Sequence, residues 1–152
     1  MVLPQHLLHS CLVLGEKREA FDQIEQSRRS HVPLTTPGKA IVENNTFQRC
    51  RAFAISMSAD SLSWFESAPV RDVLIRGNTF IECDVVVNPA LKTISADEPI
   101  HENIRIIGNN FDRAGVSAMG ARNLTITGNR SASGPLPINI DRSSTEVKIG
   151  DN

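Results

Sequence analysis

An eight-residue phrase returns three times in this chain. It reads A-I-V-E-N-N-T-F at Ala40–Phe47, V-L-I-R-G-N-T-F at Val73–Phe80 and I-R-I-I-G-N-N-F at Ile104–Phe111. Two shorter echoes follow, L-T-I-T-G-N at Leu124–Asn129 and V-K-I-G-D-N at Val147–Asn152. Each copy is a strand-like half closed by an Asn or Gly corner. A unit this short cannot bury its own apolar face, so copies must stack. The corners lie 33 residues apart (Asn45 to Asn78), then 31 (to Asn109), then 20 (to Asn129), and Gly128 to Gly150 is 22. One β-helix coil takes roughly 20–25 residues, so the last two intervals are plain coils and the first two carry insertions of about ten residues. The expected fold is all-β: a right-handed, single-stranded parallel β-helix of about five coils. Solenoid insertions gather on one face, often the binding face.

Side chains alternate along a strand. One face of the repeat therefore carries Ala40 and Val42, Val73 and Ile75, Ile104 and Ile106, Leu124 and Ile126, then Val147 and Ile149. The other carries Glu43, Arg76, Arg105, Thr125, Thr127 and Lys148, which belong in water. Past the corner, Phe47, Phe80 and Phe111 return inward. A second strand follows in each long coil, with Ala52 and Ala54 aligned on Val85 and Val87 and on Val116 and Ala118. Its outward set is Phe53, Ile55, Val86, Asn88, Ser117 and Met119, too apolar for a plain wet surface. Either insertions cover that set or it lines a groove. Asn tolerates left-handed turns and bonds nearby backbone, and stacked Asn side chains bond one another along an axis. Asn45, Asn78, Asn109 and Asn129 are thus scaffold. The N-x-S/T matches at Asn44, Asn123 and Asn129 fall inside the repeat and are discounted as glycan acceptors.

The chain has 152 residues, room for one domain. Residues 15–29 read as a helix with a short stripe of Ala20, Phe21 and Ile24. Residues 1–30 form a helical or irregular segment that can cap the first coil, and residues 31–152 form the β-helix. The last repeat stops in mid-corner at Gly150–Asp151–Asn152, the pattern of a piece of a longer solenoid. Upstream coils or another chain are then needed to cover the ends. Sixteen basic and 17 acidic residues nearly balance, so bulk charge points to no nucleic-acid or membrane partner. Three cysteines are too few for a disulfide framework. Cys50 and Cys83 fall at equivalent places on neighbouring coils. A disulfide there is geometrically conceivable, and two stacked reduced thiols are the favoured expectation. Leu7–Leu14, L-L-H-S-C-L-V-L, lacks a basic flank and a clear cleavage site, so it is not read as a signal peptide.

Long ladders on a β-helix exterior suit extended polymers such as polysaccharides. The first insertion, Ser58–Val73, holds the sole Trp with Asp60, Phe65 and Glu66. Aromatic faces stack on sugars and carboxylates bind hydroxyls, so Trp64, Glu66 and Asn88 are the substrate-binding candidates. Trp64 and Phe65 serve equally well to pin the loop to the solenoid. Asp60 and Glu66 are weak catalytic candidates. An inverting glycosidase needs two carboxyls about 6.5–9.5 Å apart, and no pair of that kind stands out. Asp72, Asp84 and Asp112 lie in similar regions of successive coils but share no column, so no calcium site is expected. His6 and His9 are the one metal-type spacing and read as incidental; no metal is expected.

The stretches T-T-P-G-K-A-I-V-E-N-N-T-F (Thr35–Phe47), S-W-F-E-S-A-P-V-R-D-V-L-I-R-G-N-T-F (Ser63–Phe80) and H-E-N-I-R-I-I-G-N-N-F (His101–Phe111) carry a resemblance. They resemble the C-terminal coils of the bacterial β-helix exo-α-1,3-galactosidases, which cleave the blood-group B epitope, within the pectin-lyase-like superfamily. The resemblance covers about residues 28–130. It departs at Ala68, where the family has Gly, and residues 1–27 match nothing in it. It implies an inverting two-carboxylate hydrolase acting on terminal α-linked galactose, with no cofactor and with secretion or a periplasmic home. It implies that the catalytic aspartates lie on earlier coils, so Trp64 and Glu66 alone carry over, as substrate-side residues. The other readings are a non-catalytic glycan-binding or structural β-helix, and another polysaccharide hydrolase or lyase of this fold.

Overall fold

The computed structural model describes residues 10–14, 18–22, 32–34, 38–50, 52–58, 69–88 and 100–152. Three parallel sheets wind around one core. The first contains β4 (Lys39–Glu43), β7 (Asp72–Arg76), β10 (His101–Ile107), β13 (Ala121–Thr127) and β16 (Thr145–Gly150). The second contains β5 (Thr46–Gln48), β8 (Thr79–Ile81), β11 (Asn110–Asp112) and β14 (Arg130–Ser131). The third contains β3 (Val32–Leu34), β6 (Phe53–Met57), β9 (Asp84–Val87), β12 (Val116–Ala118) and β15 (Ile138–Ile140). This is the parallel β-helix expected from the repeat.

Register follows the sequence alignment in the first sheet. Ala40, Val73, Ile104, Leu124 and Val147 form one inward column, and Val42, Ile75, Ile106, Ile126 and Ile149 the next. The first four members of each column are wholly buried. Ile149 on the last rung is 51% exposed. Phe47, Phe80 and Phe111 stack at centroid separations of 5.2 and 4.9 Å, favourable offset-stacking distances. The next rung places Ser131 beside Phe111, and the aromatic column ends there.

The corner between the first and second sheets explains the repeated Asn. Each Asn Nδ2 donates to Oδ1 of the next: Asn45 to Asn78 (3.1 Å), Asn78 to Asn109 (3.1 Å), Asn109 to Asn129 (2.9 Å) and Asn129 to Asn152 (2.8 Å). The same Oδ1 atoms also accept the backbone N–H of the preceding Asn, at 3.0–3.2 Å. A second Nδ2 proton goes back to a backbone carbonyl of the coil before, as from Asn109 to Ile75 (3.0 Å). The residue before each Asn is left-handed: Asn44, Gly77, Gly108, Gly128 and Asp151 have φ between 46° and 65°. That conformation favours Gly, Asn and Asp, which is what the corner is spelled with.

Three expectations need correction, and a fourth feature was not anticipated. Residues 18–22 are not helical: β1 (Ser10–Leu14) and β2 (Arg18–Asp22) pair antiparallel, Cys11 against Phe21 and Leu12 against Ala20, with β1 beside β4. An isolated helix of fifteen residues or fewer is marginal in water, whereas the apolar run ending at Leu14 offers a strand partner. The rest of that predicted helix lies outside the described residues. Second, a bulge between Phe53 and Ile55 shifts β6, so Ile55 and Met57, not Ala52 and Ala54, match Val85 and Val87. Ile55 is therefore inward and wholly buried, and Ala52 is exposed. Third, Cys50 and Cys83 form a disulfide, their Cα atoms 5.2 Å apart. The stacked coils bring the two thiols within disulfide reach. Fourth, the sequence reading missed a second Asn column. Asn103 and Asn123 both have φ 55°, and Asn123 donates to Asn103 at 2.8 Å.

Replacing Asn109 with Ala strands the N–H groups that Asn78 donates to it and removes two donations of its own. Each unmet buried group costs about 1–3 kcal/mol. Urea denaturation should show Asn109→Ala losing about 3 kcal/mol or more, and Asn152→Ala, at the ladder's end, clearly less.

Candidate functional site

The third sheet combines insertions, exposed aromatic surface and uncovered polar groups. Its strands β6 and β9 lead into residues 58–71 and 88–100, whereas β12 reaches β13 through Met119 and Gly120 alone. Both insertions therefore leave the same corner of adjacent coils. One hydrogen-bond row marks that corner: Asn88 N–H to Met57 O, Met119 N–H to Val87 O and Asp141 N–H to Ala118 O, each 2.9 Å. Asp141 also accepts from Ser143, N–H at 2.9 Å and Oγ–H at 2.6 Å. The Ser143 hydroxyl, first, and its N–H hold the Asp141 carboxyl below the ordinary carboxylate range. Met119 is 37% exposed on this edge.

The opposite edge is charged. Arg49, Glu82 and Arg113 share a left-handed corner position, with φ of 51°, 55° and 49°. Glu82 lies 3.6 Å from Arg49 and 3.0 Å from Arg113. These exposed pairs contribute little stability each, but they fix the rim.

Between the edges run two outward columns. Register places Phe53 beside Asp84, and Gly115 follows Asp84 on the next rung, its carbonyl accepting the Val85 N–H at 3.0 Å. Ser56, Val86, Ser117 and Asn139 form the second column. Phe53 is 40% exposed, while Val86, though outward, is only 8% exposed. A hollow of about 280 Å³ lies beside Asp84 and Gly115, walled by Arg113, Ser117, Pro137 and Asn139. Asp84 Oδ1 accepts the Gly115 N–H at 2.7 Å, which orients the carboxylate along the rim of the hollow. An aromatic face, an oriented carboxylate, a hydroxyl and an amide are the groups that contact a sugar's apolar face and its hydroxyls.

Of the predicted site residues, Asp60, Trp64 and Glu66 lie outside the described residues. Asn88 is exposed at the end of β9 on the insertion-bearing edge. Asp72 is in the first sheet, 2.7 Å from Arg105, and Asp112 is in the second. Among the described residues no three metal-ligating side chains converge, and no helix is long and apolar enough to cross a membrane. Sequence reasoning weighed Asp84 only as a calcium ligand and set it aside, although alternation from inward Val85 and Val87 already puts it on the outward face.

Three parallel sheets around one core define the chain as a parallel β-helix. The chain is similar to part of the α-1,3-galactosidases. It is 45% identical to α-1,3-galactosidase A of Bacteroides fragilis over 87 residues, 51% of this chain and 14% of that protein. It is 38% identical to α-1,3-galactosidase B of Bacteroides thetaiotaomicron over 89 residues, 51% of this chain and 14% of that protein. It is 33% identical to α-1,3-galactosidase A of Peterkaempfera griseoplana over 124 residues, 78% of this chain and 17% of that protein. The chain thus spans about one seventh of the length of these relatives. No protein-family model matches it.

A Cβ at Gly115 would stand 2.7 Å from the Pro137 carbonyl oxygen, which accepts the Val116 N–H at 2.9 Å. Gly115→Ala should therefore lower stability by about 1–3 kcal/mol in thermal or urea unfolding. Ser117→Ala, on the open face, should stay within about 0.5 kcal/mol.

Proposed function

We propose that these coils are part of a glycoside hydrolase that removes terminal α-linked galactose, and that the outer face of the third sheet meets the sugar. The observation that carries the reading is the 33–45% identity to proteins named α-1,3-galactosidase over half or more of this chain. The substrate is then an oligosaccharide or polysaccharide, with Asp84 and Phe53 as sugar contacts from the sheet. Trp64 and Glu66 on the first insertion and Asn88 at its edge are further substrate-side residues. The mechanism is inverting: one carboxyl protonates the leaving oxygen while a carboxylate activates water on the opposite face, the two about 6.5–9.5 Å apart. Asp60 and Glu66 remain the candidates within this chain, and the acid–base pair otherwise comes from the remainder of the enzyme. A disulfide persists in oxidising compartments, so the Cys50–Cys83 bond supports a secreted or periplasmic home.

One observation favours a second reading, a glycan-binding module without catalysis. Among the described residues the hollow has a single lining carboxylate, Asp84, and a single carboxylate is no acid–base pair.

The test is release of galactose from an α-1,3-galactoside by the protein in its full reading frame, with the product anomer followed by proton NMR. Release of the β-anomer first is expected. Release of the α-anomer first contradicts inversion, and binding with no release supports the module. Trp64→Ala should raise KM about tenfold, a loss of about 1.4 kcal/mol, and leave kcat within about a factor of two.

A further inference from the structure

His101 is the largest polar side chain buried among the described residues, with none of its surface exposed. It opens β10 and pairs with Ala121 on the next coil. Its Nδ1 accepts the Val70 N–H at 3.3 Å, which assigns the proton of the neutral ring to Nε2. Nε2 has no partner among the described residues. A buried N–H without a partner is costly, and the next coil fills the paired position with Ala121, which carries no such group. A plain structural role thus leaves the choice of histidine unexplained.

Val70 and Arg71 bring the chain from the first insertion into β7. His101 takes the Val70 N–H, and the Val70 carbonyl takes the Glu102 N–H at 3.0 Å. One rung thus grips the peptide groups on both sides of Val70. The charged groups facing this point are Arg71 at the entry to β7, Glu102 on β10 and Arg122 on β13. Glu102 lies 2.8 Å from Arg71 and 3.9 Å from Arg122, so a single carboxylate already serves two cations.

We propose that His101 is a proton-operated latch on the corner where the first insertion rejoins the solenoid. Neutral, its Nδ1 holds the Val70 N–H. Protonated, Nδ1 becomes a donor facing a donor, and a third positive charge joins Arg71 and Arg122. The corner then opens at Val70 and Arg71 while the coil core stays wound. The sign follows from linkage. Burial, first, and the charge of Arg71 lower the His101 pKa from 6.5 to about 4. The open or unfolded chain takes up the proton near 6.5 and the latched corner only near 4. The latch is at full strength above 6.5, weakens as pH falls through that interval and is lost below about 4. This inference stands on the corner's geometry and is independent of the galactosidase reading.

The experiment is amide exchange by NMR between neutral pH and about pH 4, expressed as protection factors. Val70 is compared with the core amides of Ile75 and Ile104, in the native protein and in His101→Asn, whose Oδ1 accepts without titrating. In the native protein Val70 should lose at least about tenfold protection (about 1.4 kcal/mol) while Ile75 and Ile104 keep theirs. In His101→Asn the Val70 protection should be flat. Loss of Val70 and Ile75 protection together means global acid unfolding and overturns the latch, as does the same pH dependence in His101→Asn. Should that variant not fold, the His101 ring nitrogens of the native protein decide. Their titration must fall well below 6.5, as the latched corner requires; a midpoint at or above 6.5 overturns the proposal.

Discussion

The amide-to-amide hydrogen bond along the Asn ladder is the constraint on which the rest depends. Five Asn side chains, from Asn45 to Asn152, each bridge to the next coil or are bridged by the one before. The spacing between coils is set by this chain of bonds together with the parallel strand pairing. Once coils are spaced and phased, the Phe stack and the Ile, Leu and Val columns fall into contact without further specification. An Asn in the interior of the ladder cannot be replaced by a residue that only accepts or only donates, because it must do both.

Such a scaffold makes insertions cheap in one direction only. Loops may grow where the third sheet hands over to the first, since nothing in the ladder passes through that corner. The Asn corner itself tolerates nothing extra. This asymmetry places both insertions along one edge of the third sheet. The disulfide between Cys50 and Cys83 joins two coils at the other end of the same strands. Phe53 and Asp84, on those two coils, are thereby held side by side.

Most of the fold was legible because alternation and corner chemistry are local. The first sheet's columns, the Phe stack and the Asn ladder all follow from aligning one phrase. What escaped was non-local. The bulge in β6 inserts one residue, and after it every side chain changes face, so Ile55 was assigned outward. The pairing of β1 with β2 overrode a weak helical stripe. The histidine latch was invisible because His101 sits where neighbouring coils have Val70 and Ala121. The hollow beside Asp84 is lined by residues of three successive coils, among them Asp84, Ser117 and Asn139, which no local pattern in the chain brings together.

The central claim is that the outer face of the third sheet receives a glycan. Titration of the isotope-labelled protein with an α-1,3-linked galactose disaccharide, followed by backbone amide shifts, tests it most directly. The account predicts saturable shifts clustered at Phe53, Asp84, Gly115, Ser117 and Asn139, with the first sheet's outward residues Arg76, Arg105 and Lys148 unmoved. Shifts centred on that charged face, or none at millimolar sugar, would contradict it.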